Sequence, residues 1–112
     1  MAVSESFEAY VLEQLSSVNG LSSRRMFGGV GISADGLSFA LIDEDTLYLK
    51  VDDTNRGDFE AIEMGPFRPY GDDRAMQYYQ VPVDVLEDSD ALQAWAQKAI
   101  GVARAAKAKK RR

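Results

Sequence analysis

The sequence has 112 residues, of which 46% are apolar, and it contains neither cysteine nor histidine. This length and apolar content are typical of one domain with one core. Without cysteine there is no disulfide or thiolate metal site, as is usual in the reducing cytoplasm. Without histidine the commonest general base and zinc ligand is missing. We therefore expect a cytoplasmic, non-enzymatic protein with no cofactor, no metal site and no catalytic residue.

Charge is divided unevenly along the chain. The net charge is −5, but residues 1–90 hold 18 acids and six bases, whereas residues 91–112 hold seven bases and no acid. Such a basic end is attracted either to an outside polyanion or to the acidic body, and the composition leaves both open. The apolar runs are far shorter than the roughly 20 residues of a membrane-spanning helix. We expect a soluble protein that does not associate with membranes.

The first half of the chain changes from helical to strand periodicity. Apolar residues from Phe7 to Val18 recur at helical spacing and predict an amphipathic helix. After Arg24 the period becomes two, which predicts three strands with the following apolar sets: Met26, Val30 and Ile32; Leu37, Phe39 and Leu41; Leu47, Leu49 and Val51. The connections are short and rich in turn formers, so the three strands should pair as an antiparallel meander.

The second half predicts two more helices with extended chain between them. A short helix starts near Asp53 or Thr54, with Asn55, Phe59 and Ile62 facing inward. One or two further strands follow before Pro82. The last helix starts at Asp88 or Ser89, and its buried stripe consists of Leu92, Trp95, Ala96, Ala99 and Ala103. The predicted fold is α+β, with a domain over residues 1–103 and a basic tail over residues 104–112.

Two motifs that suggest chemistry are better explained by structure. Gly29, Gly31 and Ala34 have the spacing of a dinucleotide-binding fingerprint, but a turn and another strand follow where that motif needs a helix. The glycines therefore indicate strand curvature, a bulge, or the close approach of an aromatic side chain or a helix. The acidic run Asp43–Asp45 lacks the glycine and the distal glutamate of a calcium loop. It predicts a solvated hairpin turn.

The candidate contact residues are basic. Arg24 and Arg25 are adjacent on a strand and so point to opposite faces; each either binds a phosphate or a partner or pairs with one of the chain's acids. The tail offers five more bases, which either hold phosphates or form a solubilising helix end. These are Lys107, Lys109, Lys110, Arg111 and Arg112.

Aromatic residues are numerous on the predicted strands. They are Phe27, Tyr48, Phe67, Tyr70, Tyr78 and Tyr79, and several lie opposite the aliphatic face. A helix or a partner should cover that face. Packing in the core or in a homodimer is the preferred interpretation, because stacking of nucleobases requires more interleaved bases than Lys50, Arg68 and Arg74 provide.

An ordered set of short motifs resembles the N-terminal domain of the TfoX/Sxy family. The set begins with the run from Arg24 to Ile32 and continues through Asp35-Gly36, Phe39-Ala40-Leu41-Ile42, Leu47 to Asp52, Arg56, Phe59, Pro66-Phe67, Met76, Tyr78-Tyr79, Pro82, Leu86, Leu92 and Trp95. The resemblance covers the chain from the first helix to about Ala103.

The resemblance implies a fold similar in outline to type III secretion chaperones. It also implies a coregulator of transcription related to competence regulators, which act beside the cyclic AMP receptor protein rather than as DNA-binding factors. A protein partner from the transcription machinery is thus expected, with a homodimer as a further possibility. The longer family members carry a second, C-terminal domain, whereas here only the basic tail follows. Nucleic-acid binding through that tail is the alternative function.

Overall fold

The computed structural model describes residues 5–26, 29–62 and 77–110, without the side chains of Met26, Lys109 and Lys110. These ranges contain both helices and strands, in the α+β arrangement that the sequence predicts. In chain order the elements are α1 (Glu5–Gln14), β1 (Leu21–Met26), β2 (Gly29–Ala34), β3 (Leu37–Asp43), β4 (Thr46–Lys50), α2 (Arg56–Glu60), β5 (Tyr78–Gln80), α3 (Val83–Leu86) and α4 (Ser89–Lys110).

The strands form one antiparallel sheet in the order β1-β2-β3-β4-β5. Two-residue turns join β2 to β3 and β3 to β4, and all four turn residues have positive φ, between 49° and 81°. These turn residues are Asp35, Gly36, Glu44 and Asp45. A turn of this kind matches the right-handed twist of the strands it connects, so consecutive strands become neighbours. The acidic run at 43–45 is thus the hairpin turn that the sequence predicts.

A β-bulge in β3 decides which side chains face the helices. Ile32 pairs with Ala40 and Ser33 pairs with Ser38, so Phe39 is left without a partner and the register shifts there. Phe39 and Ala40 are consequently both buried, although they are adjacent in sequence. The bulge then places Leu41 on the opposite face. The sequence prediction that Leu37, Phe39 and Leu41 share one face is therefore wrong for Leu41.

The core lies between one face of the sheet and the helices α1 and α4. Helix α4 packs against β3 and β4, and α1 packs beside α4. The buried side chains come from every layer and include Val11, Leu15, Val30, Ile32, Phe39, Ile42, Leu47, Leu49, Leu92, Ala96 and Ala99. Both predicted helical stripes therefore face the sheet. We call the sheet face under these helices the covered face and its opposite the open face.

Helix α2 is anchored by one aromatic and one amide side chain. Phe59 is buried, with its ring 4.8 Å from that of Trp95 and 5.7 Å from that of Tyr79. Asn55 is only 3% exposed. Its Nδ2 donates a hydrogen bond to the Lys50 carbonyl, and its Oδ1 accepts one from the Asp52 backbone N–H. These contacts connect the end of β4 to the start of α2.

Three details differ from the sequence prediction, and a fourth predicted feature is not tested. The first predicted strand is divided into β1 and β2, because Met26 pairs with Gly29 and the two strands run antiparallel. The short helix α3 was not predicted. Ile62 is 42% exposed rather than inward-facing. The extended segment predicted around Pro66 to Tyr70 lies outside the described residues. The start of α4 was predicted correctly, since the Asp88 carboxylate accepts hydrogen bonds from the N–H groups of Asp90 and Ala91.

In the part of the chain that the structure describes, no helix is both long enough and apolar enough to cross a membrane.

Candidate interaction surface

The open face has an apolar centre made by neighbouring strands. Strand register places five residues in one row across the sheet: Arg24, Gly31, Leu41, Tyr48 and Gln80. Leu41 and Tyr48 are half-buried, whereas the side chains at both ends of the row are exposed. None of the described helices packs on this face, because α1 and α4 both contribute to the core on the other side.

Tyr78 extends this centre along β5. It pairs with Lys50 of β4, and the Lys50 Nζ lies 5.9 Å from the centre of its ring. Tyr48 and Tyr78 are diagonal neighbours on adjacent strands, at a separation that aromatic side chains can span. We call Leu41, Tyr48 and Tyr78 the open-face patch. Half-buried aliphatic and aromatic groups are typical of the desolvated centre of a protein interface.

The phenol of Tyr48 lies in a partly desolvated, negatively charged environment. Burial raises the pKa of Tyr48 above its ordinary value, and the carboxylates of Asp43 and Glu44 raise it further because they oppose a second negative charge. A hydrogen bond with Thr46 acts in the other direction. Tyr48 is therefore a neutral group at physiological pH, suited to hydrogen bonding and packing.

Arg24 and Arg25 point to opposite faces, as their adjacency in a strand requires. Arg25 lies on the covered face, where its Nη2 is 2.9 Å from the Glu8 Oε1 of α1. Ser23, on the same face, donates to the other oxygen of Glu8 at 3.4 Å. Arg24 lies on the open face, and among the described residues it has no carboxylate partner. Arg25 thus forms an ion pair within the chain, whereas Arg24 is available to a ligand.

The basic tail continues the last helix. Helix α4 runs without interruption from Ser89 to Lys110, through the predicted boundary at residue 103. Arg104 and Lys107 are exposed on it. Lys109 and Lys110 belong to α4 by their backbone, and Arg111 and Arg112 lie outside the described residues. Since Arg24 is on the open face and α4 packs on the covered face, the structure does not bring Arg24 and the tail together.

The glycine motif has a structural role at Gly29. A Cβ atom at this position would lie 2.6 Å from the carbonyl oxygen of Ile42 on β3. Glycine is required there because the two backbones approach each other closely. Gly28 lies outside the described residues, and Gly31 is buried in the open-face row between Arg24 and Leu41.

A cavity of about 140 Å³ lies between the end of α1, the β2–β3 turn and α4. Its lining consists of Val18, Asn19, Ala34, Asp35, Gln97, Ile100 and Arg104. Asp35 is the one carboxylate in this lining, and it is exposed. The cavity thus does not offer the pair of buried acids that a ligand or catalytic site built from carboxylates would need.

Sequence reasoning identified part of the open-face patch. The prediction that aromatic residues lie opposite the aliphatic face is confirmed for Tyr48 and Tyr78. Tyr79 instead lies on the covered face, against Phe59, and the other three aromatics lie outside the described residues. Leu41 was missed, because the bulge that turns it to the open face leaves no signal in an alternating apolar run.

The match to a known family agrees with these elements. The family model described as TfoX N-terminal domain matches residues 13–103. The matched region begins within α1, contains the five strands and ends within α4 at residue 103, where the domain was predicted to end. No curated protein matches the sequence. Because the family match covers most of the 112 residues, the resemblance carried by the ordered motifs is confirmed. The chain belongs to the TfoX N-terminal domain family.

Proposed function

We propose that the protein is a non-enzymatic regulatory module that binds a protein partner of the transcription machinery through the open face of its sheet. The observation that carries the proposal is the open-face patch, which presents Leu41, Tyr48 and Tyr78 on a face that none of the described helices covers. Family membership supports a regulatory setting related to competence.

The composition of the patch supports protein binding over nucleobase stacking. Large, rigid aromatic side chains with few rotatable bonds dominate the energy of protein interfaces. The neighbouring acids, Asp43 to Asp45, would repel a nucleic-acid backbone at this end of the sheet. Tyr48 also stays neutral there, as its raised pKa indicates.

The test is capture from a cytosolic extract of the source organism, with substitutions that separate the patch from the rest of the surface. Leu41→Lys places a charge in the centre of the patch. Val83→Lys is the matched control, because Val83 is a 60% exposed aliphatic residue of α3, outside the sheet. A transcription factor or polymerase subunit identified by mass spectrometry should stay bound to the wild type and to Val83→Lys, but not to Leu41→Lys. Equal retention by all three proteins would contradict the proposal.

The second candidate function is nucleic-acid binding by the C-terminal end of α4. It is favoured by the continuous helix, which presents Arg104 and Lys107 to solvent with no acid after residue 90. Lysine and arginine bind phosphates without reading sequence, and each phosphate contact contributes about −0.7 to −0.9 to the slope of log K against log salt.

This second candidate is tested by replacing the five bases from Lys107 to Arg112 with glutamine in the full chain. Binding to a random DNA duplex should then disappear, and in the wild type it should weaken steeply between low and physiological salt. Substitution of Leu41 should leave this binding unchanged. A salt-independent complex, or one that survives loss of the five bases, would exclude the tail as the binding element.

A further inference from the structure

Strand β1 is an unusually regular edge of the sheet. It pairs with β2 over all six of its residues without a bulge, and within the described ranges no strand pairs with its other side. Ser22 to Arg25 are all exposed. The outward backbone N–H and C=O groups of such an edge are a template for an added strand. The opposite edge, β5, has only three residues.

The side chains of β1 offer different surroundings on its two faces. On the covered face, Glu8 of α1 already engages both Arg25 and Ser23. On the open face, Arg24 has no partner among the described residues. A strand added to β1 would place a side chain about 4.5–5.5 Å from that of Arg24, measured between Cβ atoms. The charge that stabilises this position is negative, whereas the position beside Arg25 needs only a neutral side chain.

We infer that β1 is the docking edge for an extended, acidic segment of a protein partner, which adds to the sheet as a sixth strand with a carboxylate beside Arg24. The inference rests on the proposed protein-binding function and names the geometry and charge of the bound segment. The added strand continues the open face, so the same partner can reach Leu41 and Tyr48 from it.

A second copy of this chain is a poorer occupant of the edge. Two-fold antiparallel pairing of two β1 strands would bring two copies of Arg24 and two of Arg25 into neighbouring rows. Like charges opposite each other destabilise a pair of strands. The arginines therefore oppose self-association while they favour an acidic strand, which gives the edge its selectivity.

The test uses synthetic peptides and the full-length protein labelled with ¹⁵N. The probe is a capped heptapeptide in which glutamate alternates with valine and threonine. A second peptide carries lysine in place of glutamate, and a third is the glutamate peptide with alternate backbone nitrogens methylated, which removes the donors that strand pairing needs. The glutamate peptide should shift the amide signals of Leu21–Met26 and slow their hydrogen exchange, and the other two should not.

Variants of the protein test the role of the charge. Arg24→Ala should lower the affinity for the glutamate peptide about two- to five-fold, the range expected for loss of an exposed ion pair. Arg24→Glu should reverse the preference in favour of the lysine peptide. Arg56→Ala removes a half-buried arginine beside Asp53, away from the edge, and should leave peptide binding unchanged.

Equal affinity for the acidic and basic peptides, equal affinity for the methylated peptide, or absence of binding would overturn the inference. Protection of β1 that rises with protein concentration in the absence of peptide would assign the edge to a second copy and also overturn it. Amide signal shifts confined to Leu41, Tyr48 and Tyr78 would show that the peptide does not bind at the β1 edge. That result would overturn the inference while leaving the proposed function intact.

Discussion

The buried amide of Asn55 provides a test of how α2 is attached to the sheet. The perturbation is Asn55→Asp, which preserves shape and the oxygen that accepts from the Asp52 N–H. It replaces the Nδ2 donor, 3.0 Å from the Lys50 carbonyl, with a second oxygen. At neutral pH two oxygens then face each other at a site that is 3% exposed. Loss of one hydrogen bond plus an unsatisfied buried charge should cost about 2–4 kcal/mol of unfolding free energy.

The loss should depend on pH with a defined sign. Burial and the facing carbonyl both disfavour the carboxylate, so the pKa of the new aspartate is raised in the folded state above its unfolded value of about 4. When it is protonated, its O–H can donate to the Lys50 carbonyl in place of the amide. The variant should therefore approach wild-type stability below about pH 4 and lose stability as the pH rises through the raised pKa.

The assay is urea denaturation of the wild type, Asn55→Asp and Asn55→Ala at pH 4 and pH 7, followed by the fluorescence of Trp95. Asn55→Ala is the matched control, since it removes both hydrogen bonds but cannot titrate; its loss should be about 2–4 kcal/mol at both pH values. A loss in Asn55→Asp that is equal at the two pH values would refute the reasoning and show that the Lys50 contact is not the one that matters.

Three further predictions concern the close contact at Gly29, the buried ring of Phe59 and the pKa of Tyr48. Gly29→Ala should lower the unfolding free energy by about 1–3 kcal/mol because the new methyl group overlaps a carbonyl oxygen; Gly57→Ala, where a Cβ meets nothing within 4 Å, should lower it little or raise it. Phe59→Ala should lower the unfolding free energy measured by urea denaturation by about 3–5 kcal/mol, as for other buried aromatics. A loss below about 1 kcal/mol would mean that neighbouring side chains move in to fill the space left by the ring. The ultraviolet titration curve of the wild type, after subtraction of the curve of Tyr48→Phe, should show a phenol whose pKa lies above the ordinary tyrosine value. The contribution of neutral Tyr48 to stability is therefore complete below about pH 10 and is lost as the pH rises through the raised pKa. Asp43→Asn should lower the pKa of Tyr48, and an unchanged titration curve would exclude that carboxylate as a cause.

Sequence periodicity predicted the parts of the fold in which burial follows a simple repeat. The alternation of Leu47, Leu49 and Val51 and the helical stripe from Leu92 to Ala103 both face the core, because side-chain direction in regular elements is set by the backbone alone. The Asp88 cap was recognised for the same reason, since its preference for a helix start is local.

Features that depend on a shift of strand register by one residue could not be predicted. A bulge at Phe39 shifts the face of Leu41 but leaves the apolar pattern unchanged, so sequence alone cannot distinguish the two registers. Likewise, Met26 and Val30 are spaced like two residues on one face of a single strand, although they belong to β1 and β2, which pair antiparallel. The open-face patch was found only in part, because its position depends on this register and on which side the helices pack.

The helical conformation of the described part of the tail bears on the two interpretations of its charge. A flexible tail could fold back on the acidic body, but α4 remains helical to Lys110. At 1.5 Å per residue, the seven steps from Ala103 to Lys110 displace the chain by about 10 Å along the helix axis. This is comparable to the screening length at physiological salt. Arg104 lines the same cavity as Asp35, and Lys107 is exposed three residues further along α4. The described part of the tail thus offers Arg104 to an acid of the body and Lys107 to an outside polyanion in solvent.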